Sequence, residues 1–384
     1  MQEMKRLTYM LNNDISIEVL SRLPVKILHK MKLVCKEWRS MISDHSFVRS
    51  LLQRKEPLTG FFFQESHTWV DEDIDRISYL SLETLKVHCS AFDFLPEKVV
   101  LLASCNGLVC CRSSFPSSRP LLYVCNPLNR EWISLQWIHP SQRANVALDF
   151  DPFQVPTGDA SVSFKVVAVN QSTNINGESE YSFDVYSSET GDWMRSAARC
   201  LCEHHLLSNK GIFVDGYLYW LTDGDAILMF NPEIGFSALI AIPLPLIAFD
   251  SKPEMCIGES KGNLHFVFLS GEGLQLWVIN DPFTSTWDLC VSISLKELEE
   301  VNPMFPFDFS DKMKRHQGDK HFVVHLLAYK DDILFFRLLT SFHSYDFGTR
   351  TMRKLCENSQ LGQYVMHSPM LLPYSMSLVP PSMM

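Results

Sequence analysis

The feature that most restricts the fold of this chain is a unit that recurs along most of its length. A strand-forming run ends in a polar turn, and a second run follows, often marked by a tryptophan. The unit reads Tyr123-Val124-Cys125-Asn126-Pro127 and ends in Trp132. It recurs as Phe183 to Tyr186 with Trp193, Leu228 to Asn231-Pro232, Leu276 to Asn280 with Trp287, and Ser344-Tyr345-Asp346 to Met352. The equivalent points 126, 186, 231, 280 and 346 are 60, 45, 49 and 66 residues apart. A spacing near fifty, with several strands per unit, predicts the blades of a β-propeller. One four-stranded sheet cannot bury both of its faces, so neighbouring units stack around an axis.

Short apolar runs supply the strands: Gly60 to Phe63, Leu108 to Cys111, Lys165 to Val169, Tyr217 to Leu221, Leu264 to Leu269 and Ile333 to Leu338. Asn106-Gly107, Asp215-Gly216 and Lys261-Gly262-Asn263 precede strands and suit tight hairpins with positive backbone angles. Lys330-Asp331-Asp332 holds the same place without a glycine. Five repeats cover roughly residues 101 to 357. The leading runs Gly60 to Phe63 and Ile77 to Leu82 are expected to form one more blade, closed by the tail Tyr364 to Val379, which removes an open sheet edge. The expectation is a propeller of about six blades, with a β-sandwich as the competing architecture. The five tryptophans 132, 193, 220, 277 and 287 are read as blade core rather than as a binding cage.

Ahead of residue 58 the period is helical. Ile15, Ile17, Val19, Leu20 and Leu23 cluster on one helical stretch, and Asn12, Asn13 and Asp14 suit its positive end. Leu23-Pro24 breaks that helix and begins the next, through Val25, Ile27 and Leu28. Val34, Trp38, Met41 and Ile42 fit a further amphipathic helix, and Phe47, Leu51 and Leu52 a last one. About forty residues are too few to bury a sufficient core alone, so this small all-α bundle reads as a docking element. The division expected is residues 1–55 for the bundle and 56–384 for the all-β domain.

Charge divides the same way. Residues 1–55 hold eleven Lys/Arg against five Asp/Glu, a balance of +6, and the remainder twenty-three against thirty-nine, a balance of -16, which gives the net -10. An acidic body disfavours nucleic acid, whose binding rests on phosphate neutralisation. No apolar run reaches the roughly eighteen residues a membrane helix needs, and the N-terminus lacks an apolar signal core, so an intracellular protein of cytoplasm or nucleus is expected. The eleven cysteines are odd in number and irregular in spacing, which argues against a disulfide framework.

No residue set stands out as a catalyst. Gly258-Glu259-Ser260-Lys261-Gly262 matches a nucleophile-elbow pattern, but that chemistry needs a helix to follow, and Asn263-Leu264-His265-Phe266 reads as a strand. Cys200, Cys202, His204 and His205 lack zinc-ligand spacing, so no metal is assigned, and no cofactor. The acidic cluster Asp71, Glu72, Asp73 and Asp75 lacks the glycine turn of a calcium loop. The basic group Lys312, Lys314, Arg315 and His316 reads as a solvated loop.

The landmarks Leu23-Pro24, Val34-Cys35-Lys36, Trp38 and Ile42, followed by Ser43-Asp44 and Phe47, resemble the F-box of plant proteins; the family's opening Leu-Pro stands here as Leu11-Asn12. The body resembles the F-box-associated domain through Ser104-Cys105-Asn106-Gly107-Leu108, Asn126-Pro127 to Trp132, Asp215-Gly216-Tyr217-Leu218-Tyr219-Trp220, and Ser377-Leu378-Val379-Pro380 with Tyr374. These resemblances imply a non-enzymatic adaptor of an SCF-type (Skp–cullin–F-box) ubiquitin ligase. The F-box would dock on a Skp-type adaptor, and through it a cullin–RING ligase, while the β-domain binds a target protein. The residues they imply for adaptor binding are Leu11, Ile15, Val19, Leu20, Leu23, Pro24, Val34, Cys35, Trp38 and Ile42. A stand-alone interaction protein, a propeller enzyme and a carbohydrate-binding protein are the alternatives.

Overall fold

The computed structural model describes residues 13–52, 54–64, 77–114, 119–138, 145–153, 163–207, 210–244, 253–302, 324–361 and 370–381. Four short helices come first: α1 (Asn13–Ser21), α2 (Val25–Met31), α3 (Lys36–Ser43) and α4 (His45–Leu52). Pro24 ends α1 and caps α2 in an extended conformation, as a residue without an N–H should. Val34 falls in the turn before α3 rather than on it. Cys35 is the N-cap, its Sγ accepting from the Trp38 N–H at 3.3 Å.

Among the described residues after the bundle, nearly all regular structure is antiparallel sheet, built mostly from consecutive strands. One sheet holds β1 (Leu58–Gln64), β2 (Ser78–Ser81) and β3 (Val87–Cys89) with the last strand, β24 (Met370–Ser375), on its inner side. β24 pairs with β1 from Gln64↔Met370 to Gly60↔Tyr374, so the two ends of the chain close the ring. The second sheet is β4 (Val99–Cys105), β5 (Leu108–Ser113), β6 (Leu121–Asn126) and β7 (Glu131–Gln136). The third is β8 (Asn145–Asp149), β9 (Lys165–Thr173), β10 (Ser179–Ser187) and β11 (Trp193–Leu201). The fourth is β12 (Ile212–Val214), β13 (Tyr217–Leu221), β14 (Ala226–Asn231) and β15 (Phe236–Ala241).

The fifth sheet departs from expectation. It joins β16 (Glu254–Ser260), β17 (Asn263–Leu269), β18 (Gly273–Asp281) and β19 (Thr286–Ser294) to β20 (Val324–Lys330), β21 (Ile333–Leu338), β22 (Ser341–Asp346) and β23 (Thr351–Glu357) in one eight-stranded sheet. The count of about six separate blades is therefore corrected: among the described residues four sheets have four strands each and one has eight. The seam is a short parallel pairing of β16 with β20, Gly258↔Tyr329 and Glu259↔Lys330. Glycine permits it, because a Cβ on Gly258 would lie 1.9 Å from the Tyr329 carbonyl oxygen. Two further helices flank this sheet, α5 (Leu295–Val301), with a Ser294–Glu297 capping box, and α6 (Asn358–Leu361).

The recurrent points of the sequence all fall at or one residue before the end of a sheet's third strand, Asn280 being followed by Asp281, which makes the turn bond in its place. There Asn126, Asn231 and Asp281 accept backbone N–H bonds two residues on, and Asp346 one from Thr349, which sets the turn into the outer strand. The tryptophans are only partly core. Trp220 is fully buried, but Trp132 is 39% exposed. Trp193 and Trp287 lie on outer strands, where their indole N–H groups donate to the neighbouring sheet at Gln136 O (3.0 Å) and Ala241 O (2.8 Å). An amphipathic ring at a sheet edge can pack and stitch at once, which a purely apolar residue cannot.

The elbow-like segment is the hairpin expected: Lys261 and Gly262 have positive φ between β16 and β17. Asn106-Gly107, Asp215-Gly216 and Asp331-Asp332 are the equivalent turns of β4–β5, β12–β13 and β20–β21, with positive φ throughout. Cys200 and Cys202 are buried, His204 lies 3.7 Å from Asp223, and among the described residues no group of three or more His, Cys, Asp or Glu could hold a metal. The clusters Asp71 to Asp75 and Lys312 to His316 lie outside the described residues, as does most of Tyr364 to Met370. Among the described residues no helix is long and apolar enough to cross a membrane.

Candidate functional site

The helical bundle presents two unlike faces. Inward, Leu20, Val25, Leu28, Ile42, Phe47, Val48 and Leu51 are buried in one apolar cluster with Leu102, Leu108, Leu122 and Val124 of the second sheet and with Leu378 and Val379 of the tail. The bundle's shortage of core is thus made up within the chain. Outward, Ile15 (52% exposed), Ile17 (41%), Val19 (54%), Leu33 (85%) and Val34 (60%) stand in solvent. Ile15 and Val19, four residues apart, share one side of α1, Ile17 lies on another, and Leu33 and Val34 stand in the turn before α3.

The residues proposed from the sequence divide between these faces. Ile15, Val19 and Val34 are exposed, and so is Pro24. Leu20 and Ile42 are buried, so they build the bundle and present nothing. Leu23 and Trp38 are half-buried against the core, and Cys35 serves as the α3 cap. Leu11 lies outside the described residues. Sequence reasoning assigned no docking role to Ile17 or Leu33. The signal of Ile17 is an apolar residue outside the buried stripe of its own helix, and that of Leu33 an apolar residue in the turn between α2 and α3.

The bundle is held to the propeller by charge as well. The Arg54 guanidinium donates to Ser21 O (3.2 Å) and Leu23 O (2.7 Å), meeting carbonyls freed at the end of α1, and pairs with Glu56. Lys26 pairs with Glu83 of the β2–β3 turn. Lys55 reaches Glu259 (2.9 Å) and Asp331 (3.1 Å), and Glu259 also pairs with Lys330 and accepts from Gly262 N–H at 2.8 Å. Burial would raise the Glu259 pKa, but the Lys330 ammonium, Lys55 and the Gly262 N–H outweigh it and hold the carboxyl at about 2. Next to this group Asp332 accepts from Ser260 (2.8 Å) and Tyr329 (3.0 Å) and pairs with Lys261 (2.6 Å), tying β16–β17 to β20–β21.

The tail completes the clasp. Asn126, fully buried, donates to Ser377 O (2.8 Å) and Val379 O (2.7 Å), and Asn129 to Leu378 O (2.8 Å). Two segments singled out separately in the sequence, Asn126-Pro127 and Ser377-Leu378-Val379, are thus partners. Lys55, the tail and the turns at 106, 215, 261 and 331 all lie where the inner strands β4, β12, β16 and β20 end. The bundle therefore sits at one mouth of the propeller's central channel.

This architecture agrees with comparison to known proteins. Residues 9–50 match the F-box domain model, and residues 50–372 match the model described as F-box protein At3g26010-like, beta-propeller. The chain belongs to this F-box protein family. Relatives in Arabidopsis thaliana include F-box protein At5g49610, 30% identical over 77% of this chain and 82% of its own length. F-box protein At5g07610 is 25% identical over 76% and 72%, and F-box protein At3g26010 28% over 84% and 78%. An F-box joined to a propeller is the build of a substrate adaptor in general, and the plant F-box resemblance read from the residues holds for nearly the whole chain.

Proposed function

We propose that this F-box protein is the substrate-recruiting subunit of an SCF-type ubiquitin ligase, docking on a Skp-type adaptor and, through it, a cullin–RING ligase. It catalyses nothing itself and works inside the cell, in cytoplasm or nucleus, by holding a target protein near the ubiquitin-charged enzyme, which raises local concentration. The observation that carries this reading is the set of exposed apolar side chains, Ile15 and Val19 on one side of α1 with Leu33 and Val34 in the turn before α3, on a bundle whose buried residues are packed into the propeller. The F-box occupies the mouth where the inner strands end, so target recruitment is assigned to the opposite mouth.

The test is co-purification of the full chain with a Skp-type adaptor, compared with Leu33→Asp combined with Val34→Asp. Burying two such side chains contributes on the order of 3 kcal/mol, so the double variant should bind about a hundredfold more weakly with an unchanged melting temperature. An intact chain that binds no Skp-type adaptor, or a double variant that binds as well as the wild type, would refute the ligase reading.

A further inference from the structure

The central channel widens into a cavity of about 790 Å³, large enough for a small organic molecule. Its apolar wall includes Leu207, Ile212, Leu221, Met255 and Leu327. Lys210, in an isolated parallel bridge with Val146, projects into it from the segment before β12. Its Nζ donates to the Leu327 carbonyl at 3.0 Å. That carbonyl is turned toward the channel at a bulge, since β20 pairs Leu326 with Phe336 and Ala328 with Phe335, leaving Leu327 unmatched.

An ammonium has three N–H donors, and one is accounted for. The other cations lining the cavity are matched. Lys55 and Lys330 share Glu259, Lys261 holds Asp332, and His325 faces Glu254 at 3.7 Å. Asp151 and Asp215 follow the inner strands β8 and β12 and so lie at the F-box mouth. The ionisable neighbour of Lys210 is Cys256, whose thiol is pushed up to about 12 by burial and so brings no negative charge. Among the described residues this half-buried ammonium has no counter-ion, and desolvation lowers the Lys210 pKa to about 8 accordingly. The cavity leaves room for the missing partner.

We propose that the propeller channel is a binding site for a small monocarboxylic acid with an apolar body, its carboxylate paired with Lys210 and its body against Leu207, Leu221 and Met255. A single ammonium, with no arginine and no helix N-terminus beside it among the described residues, matches one negative charge better than a phosphate's two. An adaptor built this way would carry a ligand on the axis of the ring, within reach of the mouth opposite the F-box.

The experiment is calorimetric titration of the purified full chain with octanoate and 3-phenylpropanoate, using octanamide as the uncharged counterpart of octanoate. The expected result is one saturable site per chain that takes octanoate at least tenfold more tightly than octanamide. Lys210→Met should lose that preference and Lys210→Arg should keep it. Cys256→Asp, which sets a carboxylate beside the ammonium, should block both acids, and it serves as the second readout should Lys210→Met fail to fold. No saturable binding of either acid to the wild type, or equal binding by Lys210→Met or Cys256→Asp, would overturn the proposal.

Discussion

Replacing Glu259 by glutamine probes how the F-box is held to the propeller. The carboxylate side chain is only 8% exposed and answers two ammonium groups at once, Lys330 within its own sheet and Lys55 from the segment after the F-box. Its pKa of about 2, against an ordinary 4.5, corresponds to roughly 3 kcal/mol of stability at neutral pH. Lys55 is 43% exposed and Lys330 22%, so solvent screening brings the expected loss nearer about 2 kcal/mol. The sign follows from a folded-state pKa that is depressed. The stabilisation is fully present above about pH 4.5, where the unfolded carboxyl is ionised too, and is lost as pH falls towards 2. Urea unfolding at pH 7 should therefore show Glu259→Gln about 2 kcal/mol less stable than the wild type, and the gap should close progressively between pH 4.5 and 3. A gap that is below about 0.5 kcal/mol at pH 7, or that does not change with pH, would refute the electrostatic clasp. Lys55→Met should reproduce part of the loss, and proteolysis after the F-box should accelerate in both variants, because that segment would be released from the channel mouth.

Two other outcomes follow from packing and burial. Gly258→Ala places a methyl 1.9 Å from the Tyr329 carbonyl, so β16 and β20 must separate; a loss of about 3 kcal/mol or more in thermal or urea unfolding is expected, and near-neutral behaviour would show that the seam is soft. Burial raises the Asp149 pKa to about 7, with Lys165 opposing it. A carboxyl with a raised folded-state pKa stabilises below its unfolded value near 3.8 and loses that contribution as pH climbs through 7. Asp149→Asn should accordingly melt higher than wild type at pH 8 and show a much smaller advantage at pH 5, whereas an equal difference at both would contradict the assignment.

Much of the plan was written in local residues. Asn126, Asn231, Asp281 and Asp346 each shape a turn with their own side chain, so the repeat they mark survives from sequence to fold. Asn106-Gly107, Asp215-Gly216 and Lys261-Gly262 did the same for the inner hairpins, since positive φ favours few residue types. Pro24 divided α1 from α2 for an equally local reason. The period of two against the period near 3.6 separated sheet from bundle at residue 58, and the F-box landmarks carried the family.

What the sequence left open depended on partners distant along the chain. Leu20 and Ile42 look as available for docking as Val19 and Val34; only the placement of α4, the tail and the second sheet decides which pair faces water. Cys35 became a cap because Val34 fell in a turn, a choice made by how α2 and α3 pack. The fusion of two sheets required Gly258 to meet a carbonyl seventy-one residues away in sequence, at Tyr329. Likewise Lys210 gains its meaning from Leu327, a carbonyl on a strand far along the chain. Short-range chemistry, caps, turns and periodicity, can be read from neighbours in the sequence. Which face is buried, which sheets join and which charge is left unmatched are set by contacts that exist only after the ring has closed.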